Sequence, residues 1–160
     1  MTLFTGWRSM ARRLLPDGVV VPAALRTRDF YLEPLAEEHS DGDYEAWMSS
    51  IEHIQATPGF IGWVWPPSAG MTKGENLASV RRHARHHAAG VGFTYAVLTP
   101  SGDVIGCVYI YPAADARYDC ELRTWVRADR ADLDRPVHEA VLDWLNREWP
   151  FRAILSHPRA

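Results

Sequence analysis

The sequence predicts an α/β domain of the α+β kind, a mixed sheet with the element order strand, two helices, three strands, helix, strand. Three observations carry that expectation. Phe93, Tyr95 and Val97 alternate with Thr94, Ala96 and Leu98, then Thr99-Pro100-Ser101-Gly102 places Pro second and Gly fourth as a type I turn asks, and Asp103 to Tyr111 is β-branched and aromatic, so the whole reads as a hairpin. Val137, Val141, Trp144 and Leu145 repeat at helical spacing, with Trp149 continuing the stripe. Between and after these lie Cys120 to Arg127 and Ala153 to Ser156, two strand-like runs joined by that helix, which predicts a crossover with parallel strands.

The remaining elements follow in chain order. Residues 1 to 22 form an irregular arm with scattered apolar residues, among them Leu3, Phe4, Trp7, Leu14, Leu15 and Val19 to Val21, and Pro22 sets it off from a domain over 23 to 160. Phe30 to Leu35 reads as a first strand, with Pro34 at its end or on an edge. Tyr44, Trp47, Met48, Ile51 and Ile54 predict one continuous helix that Ser40 or Asp41 can cap. Residues 56 to 70 are a loop rich in Pro, Gly and Trp. A second helix opens at Thr72, where Thr72-Lys-Gly-Glu75 has capping-box spacing, and its buried stripe is expected at Leu77, Val80 and Ala84.

Composition narrows the function classes. The formal net charge is −3 over 160 residues, which argues against a general nucleic-acid binder. Lys73 is the only lysine beside sixteen arginines, first of all a coding bias. Cys107 and Cys120 sit inside strand-like segments with no CxxC, as buried thiols in a reducing cytoplasm do. No apolar run is long enough to span a membrane, and Pro16-Asp17-Gly18 interrupts the short run after Arg12-Arg13, so the expected location is cytoplasmic, with neither nucleic acid nor membrane as partner.

The order of elements and the stretch Phe93-Thr-Tyr-Ala-Val-Leu-Thr-Pro-Ser-Gly-Asp-Val-Ile-Gly-Cys-Val-Tyr-Ile-Tyr-Pro112 resemble the GNAT superfamily of acyl-CoA N-acyltransferases. The strand Glu121-Leu-Arg-Thr-Trp-Val-Arg127 and the helix Pro136 to Trp149 are similar to its core unit, and the likeness runs from about residue 25 to 157. The resemblance implies acetyl-CoA as cofactor and an amine, on a small molecule or a protein, as acceptor. It places the pantetheine arm along the backbone of Trp125, Val126 and Arg127, and the diphosphate at the start of the next helix, with Arg130 and Arg135 nearby. It also implies a carboxylate or a water as proton acceptor, and the strand carboxylate used in part of the family corresponds here to Glu121.

Two departures matter. The diphosphate loop of the superfamily reads Gln/Arg-x-x-Gly-x-Gly/Ala, whereas this chain has Arg130-Ala-Asp-Leu-Asp-Arg135, and no glycine lies between Ala113 and Ala160. Leu133 and Arg135 place side chains where small residues belong, Pro136 removes one N–H donor, and Asp132 or Asp134 can cap the helix and take the remaining donors. These features predict acetyl-CoA binding weaker than about 0.1 mM. A further helix and two strands, which often carry a general-acid tyrosine, are not read within the sequence. An edge left open after the last strand is expected to be covered by the arm, through Trp7, Leu14 and Val19 to Val21, or by a second subunit in a homodimer. A GNAT-fold protein without catalysis that keeps the cleft for another ligand or a partner chain is the alternative.

Other candidates have simpler readings beside the functional one. Glu121 can be an ion-paired strand residue, with Arg123 on the same face. His83, His86 and His87 can be imagined around a metal, but Arg81, Arg82 and Arg85 interleave with them, and a solvated basic face able to meet an acidic partner is preferred. Trp63 and Trp65 are either an aromatic wall for a substrate or anchors that tie their own loop to the core, the second being preferred.

Overall fold

The computed structural model describes residues 13–160; Leu3, Phe4 and Trp7 of the arm lie outside the described residues. A five-stranded sheet has its strands in chain order: β1 (Tyr31–Pro34), β2 (Phe93–Leu98), β3 (Val104–Tyr111), β4 (Cys120–Val126) and β5 (Ile154–Leu155). Each of the first four is antiparallel to its neighbour, and β5 joins β4 in parallel. Pro34 is the last residue of β1, on the sheet's edge, where a missing N–H breaks no ladder. The expected turn is present: the Gly102 N–H donates to the Thr99 carbonyl at 2.8 Å.

One face of the sheet is covered by helix α4 (Asp134–Glu148), whose Val137, Val141, Trp144 and Leu145 are buried, followed by buried Trp149. They meet Phe93, Tyr95, Val97, Val108, Ile110 and Leu122, the residues that alternation assigns to one side. Leu15, 2% exposed, belongs to this cluster, and Leu14 and Val21 pack against it, while Val20 is 85% exposed. Leu14, Leu15 and Val21 thus add to the apolar layer on the α4 side of the sheet.

The other face carries α1 (Ser40–Met48), α2 (Ile51–Gln55) and α3 (Lys73–Ala89). The single helix expected over Tyr44 to Ile54 is two. Its ladder breaks at Ser49 and Ser50, whose hydroxyls have other partners: Ser49 donates to the Ala46 carbonyl at 3.0 Å, and Ser50 Oγ accepts the Ala128 N–H at 2.9 Å. Neither Ser40 nor Asp41 caps α1. A 3-10 turn over Glu37–His39 leads into it, and His39 Nδ1 accepts the Ala36 N–H at 3.0 Å, which leaves Nε2 to bond Glu33 at 2.9 Å.

Helix α3 starts as its capping box predicts: Thr72 Oγ1 accepts from the Glu75 N–H and Glu75 Oε1 from the Thr72 N–H. Its buried stripe is not the expected one. Asn76, Ser79, Val80 and His83 are buried, whereas Leu77 and Ala84 are only half-buried. The helix turns its polar residues inward because the surface it meets supplies hydrogen-bond partners, as the next subsection shows.

Candidate functional site

The edge of β4 is where the sheet opens. β4 and β5 pair only at Cys120–Ile154 and Glu121–Leu155. From Leu122 onward β4 has no strand on that side among the described residues, and the chain after β5 runs across the gap instead. Three segments converge there: β4, the loop between α2 and α3, and residues 156–160.

Glu121 lies at the mouth of the gap with its side chain almost enclosed. Arg123 Nη2 is 3.0 Å and His157 Nε2 2.9 Å from its Oε2. Burial works against its charge, but the bond from His157 and the nearby Arg123 outweigh it and hold the carboxyl below its ordinary range. Burial lowers the Arg123 guanidinium in turn, and Glu121 only partly offsets this. Arg123 is fixed from two further directions: its Nε–H donates to the Gly59 carbonyl at 2.7 Å, and its guanidinium lies 4.0 Å from the Trp63 ring centre. A side chain at Gly59 would bring Cβ to 3.0 Å from the His157 ring, and its φ of +99° disfavours other residues as well.

Deeper in the gap sits Arg159, its side chain 6% exposed. Its Nε and Nη2 bond the two oxygens of Asp134 at 2.7 and 3.1 Å, a fork against the first residue of α4. Nη2 also donates to the Thr124 carbonyl at 2.7 Å and to Thr124 Oγ1 at 3.0 Å, and Nη1 to the His157 carbonyl at 2.6 Å. Neither Asp132 nor Asp134 caps α4; the position before the helix is Leu133, and Asp134 is taken by Arg159.

This architecture has solved counterparts. The ribosomal-protein-S5-alanine acetyltransferase from Vibrio fischeri matches 84% of this chain and 73% of its own with a TM-score of 0.64 at 11% identity. A ribosomal L7/L12 α-N-protein acetyltransferase matches 89% and 75%, also at 0.64, with 12% identity. The GNAT-family acetyltransferase from Bordetella pertussis, described as such without a proven activity, matches 78% and 73% at 0.57 with 16% identity. The chain has the GNAT fold. No protein-family model and no curated protein matches the sequence, so these likenesses speak to the GNAT fold alone.

Set in the GNAT fold, the residues expected to hold acetyl-CoA do not meet at one place. Trp125 and Val126 are wholly buried side chains. The Arg127 N–H already donates to Ile105 in β3 at 2.8 Å, and a Cβ on Gly106 would fall 2.2 Å from the Trp125 carbonyl oxygen, so the polar groups of Trp125 and Arg127 turn toward β3. By the alternation of an antiparallel strand, Thr124 and Val126 face the open edge instead. The Arg127 side chain bonds Asp129 and, with Arg130, Gly42, Glu45, Thr99 and Asp103, lines a hollow of about 300 Å³. Arg135 reaches the other way, to the Arg159 carbonyl at 3.3 Å. With Thr124 engaged by Arg159 and no glycine before α4, this conformation does not fit the cofactor.

The loop over residues 56 to 70 is tied down by its own aromatics. Trp65 is buried with ring centres 5.5 Å from Trp47 and 5.9 Å from Trp125, and Trp63 packs on Phe60 at 5.7 Å. Beneath it lies a polar network. Asp43, 5% exposed, accepts from Asn76 Nδ2 at 3.1 Å and faces the Cys107 thiol at 3.6 Å, while Asn76 Oδ1 accepts from Trp47 Nε1 at 2.9 Å. Burial first, against relief from Asn76 and Cys107, raises the Asp43 carboxyl to about 6. Burial and then Asp43 raise the Cys107 thiol, so it stays protonated as the donor.

The histidines are not a solvated face. His83 is 3% exposed, and the Tyr111 hydroxyl lies 2.8 Å from Nδ1 of both His83 and His86. Thr94 Oγ1 is also 2.8 Å from His83 Nδ1, and His87 packs edge-on against Phe93 at 4.9 Å. Burial, helped by His86 and Arg82, drives His83 well below its ordinary pKa, and burial lowers His86 and His87 too. The three are therefore neutral at pH 7, and the basic face is left to arginines such as Arg81, which pairs with Glu37. Among the described residues no three potential ligands are grouped as a metal would need.

No sequence signal marks the three residues that fill the gap besides Glu121. Thr124, His157 and Arg159 belong to no motif, and only the parting of β4 from β5 brings them together.

Proposed function

We propose that the protein is a GNAT-like N-acetyltransferase that takes its acyl group from acetyl-CoA and gives it to an amine. The observation that supports this is the unpaired edge of β4 between β5 and the start of α4, with Glu121 at its mouth. Two solved proteins of the same fold are described by the ribosomal-protein amines that they acetylate, so a protein N-terminal amine is the acceptor class to try first. In this reading Glu121 accepts the amine's proton once it is freed from His157, since a carboxylate held below its usual range is a weak base. The cytoplasm, where Cys107 and Cys120 remain thiols, is the setting we assign.

A second reading, a GNAT-fold protein that binds without catalysing, is favoured by the glycine-free stretch Arg130 to Arg135 and by the clamp on Glu121. Acyl transfer to a panel of peptide and small-molecule amines, followed by release of free thiol, separates the two. The enzyme reading expects turnover that falls by about two orders of magnitude in Glu121→Gln. Turnover unaffected by that change removes Glu121 from the chemistry, and no turnover with any amine at millimolar acetyl-CoA favours the silent protein.

A further inference from the structure

We propose that residues 156–160 are an internal ligand of the gap between β4 and β5, and that Arg159 is the latch which keeps acetyl-CoA out of it. This rests on the acetyltransferase reading for what the gap would otherwise hold.

The segment is held by specific chemistry rather than draped over the surface. An arginine head offers five N–H donors in one plane. Here Nε meets one oxygen of Asp134, the two hydrogens of Nη2 are shared among the other Asp134 oxygen and the Thr124 carbonyl and hydroxyl, and Nη1 meets the His157 carbonyl. The Pro58 carbonyl stands 3.5 Å away on the far wall. Just before it, His157 bonds Glu121 and its ring rests on Gly59. Two successive anchors therefore join the three walls of the gap: β4, the start of α4 and the α2–α3 loop. A guanidinium removed from water in this way is costly to leave unpaired, and so is the Asp134 carboxylate if Arg159 goes. That cost is what holds the latch shut.

The positions it occupies are the ones the cofactor would need. The Thr124 carbonyl is one of the backbone groups of β4 that face the open edge, beside those of Val126, and Arg159 takes it. Asp134, at the first turn of α4, carries the wrong sign for a diphosphate while Arg159 neutralises it. Arg135, a candidate for the diphosphate, bonds the Arg159 carbonyl instead. Acetyl-CoA and the latched segment are thus mutually exclusive, and binding must release Arg159 at the expense of affinity.

The test compares coenzyme A binding by calorimetry in the full chain, in Arg159→Ala, and in the double variant Arg159→Ala/Asp134→Asn, which also removes the carboxylate that the first change uncovers. Thermal melting establishes that each is folded. Beside it, the Arg159 Nε–H signal is followed by NMR in the unaltered protein as coenzyme A is added. The latch predicts that the double variant binds at least about tenfold tighter than the unaltered chain, and that the slowly exchanging Arg159 signal is lost on saturation. Should a variant fail to fold, the Arg159 signal decides alone. Tight binding by the unaltered chain with that signal undisturbed overturns the latch and leaves the acetyltransferase reading standing. Weaker binding in both variants also overturns it, because Arg159 would then be a contact to the cofactor. No binding by any of the three, all folded, overturns latch and acetyltransferase reading together.

Discussion

The two faces of one sheet are built from different chemistry. Toward α4 the strands present Phe93, Tyr95, Val97, Val108, Ile110 and Leu122, and the helix answers with Val137, Val141, Trp144 and Leu145. Toward α1 and α3 the same strands present Thr94, Cys107, Tyr109 and Tyr111, and the helices answer with Asp43, Asn76 and His83 as well as Trp47 and Val80. The first face is held by area and fit, which tolerate no loss of volume but need no partner-by-partner matching. The second is held by hydrogen bonds that must all be made, since an unmet polar group in such a place costs more than a made one returns. The dry face is a support. The polar face carries Asp43, Cys107 and the paired His83 and His86, and adjoins the loop that closes over Arg123 and the gap.

The largest effect that tests this contrast belongs to the dry face. Trp144→Ala should lower stability by about 3–5 kcal/mol, seen as a shift of the urea midpoint at pH 7. A loss below about 1 kcal/mol would mean that α4 is not packed as described.

The next effect belongs to the polar face and appears as a pH dependence. Asp43 goes from 3.8 to about 6 on folding, so between those values the native state holds a proton that the unfolded chain has released. Its contribution is complete below about pH 4 and is lost as pH rises through about 6, a change of about 3 kcal/mol. Asp43→Asn abolishes that change, so its stability relative to the unaltered protein should rise by about 3 kcal/mol from pH 4 to pH 7.5. The depressed histidines act in the opposite sense. Their contribution is present above about pH 6.5 and is lost as pH falls. Taking the difference between variant and parent at each pH cancels that second trend. An identical pH dependence in both proteins would place the Asp43 carboxyl in water.

The smallest effect is the most local. Tyr111→Phe keeps the ring and removes the hydroxyl that His83 and His86 share, and should cost about 1–2 kcal/mol at pH 7. The equivalent change at Tyr95, whose ring packs against Trp144 on the dry face, should cost less. Equal losses at the two positions would erase the distinction between the faces.

How far the sequence reaches differs along the same line. Alternation in β2 and the stripe of α4 were legible because apolar burial depends on periodicity, which a linear chain carries in itself. The capping box at Thr72 was legible because its two partners are three residues apart. Apolar periodicity misplaces the buried stripe of α3 because it takes no account of a polar side chain whose partner is distant in sequence. Nothing near His83 announces Tyr111, and nothing near Asn76 announces Asp43. The break at Ser49 and Ser50 escapes periodicity for the same reason, since Ser50 is engaged by Ala128 from far along the chain.

At the gap the division is sharper. The sequence by itself determined the order of elements, the two faces of β2 and β3, the glycine-free approach to α4, and Glu121 as the carboxylate in β4. Only the tertiary structure decided that Trp125 and Arg127 turn their polar groups to β3, that Glu121 is clamped by Arg123 and His157, and that Arg159 lies against Thr124 and Asp134. The reason is physical. Periodicity and short-range capping are properties of neighbours in sequence, whereas a strand edge left unpaired is defined by what fails to lie beside it, and its occupants come from wherever the folded chain passes.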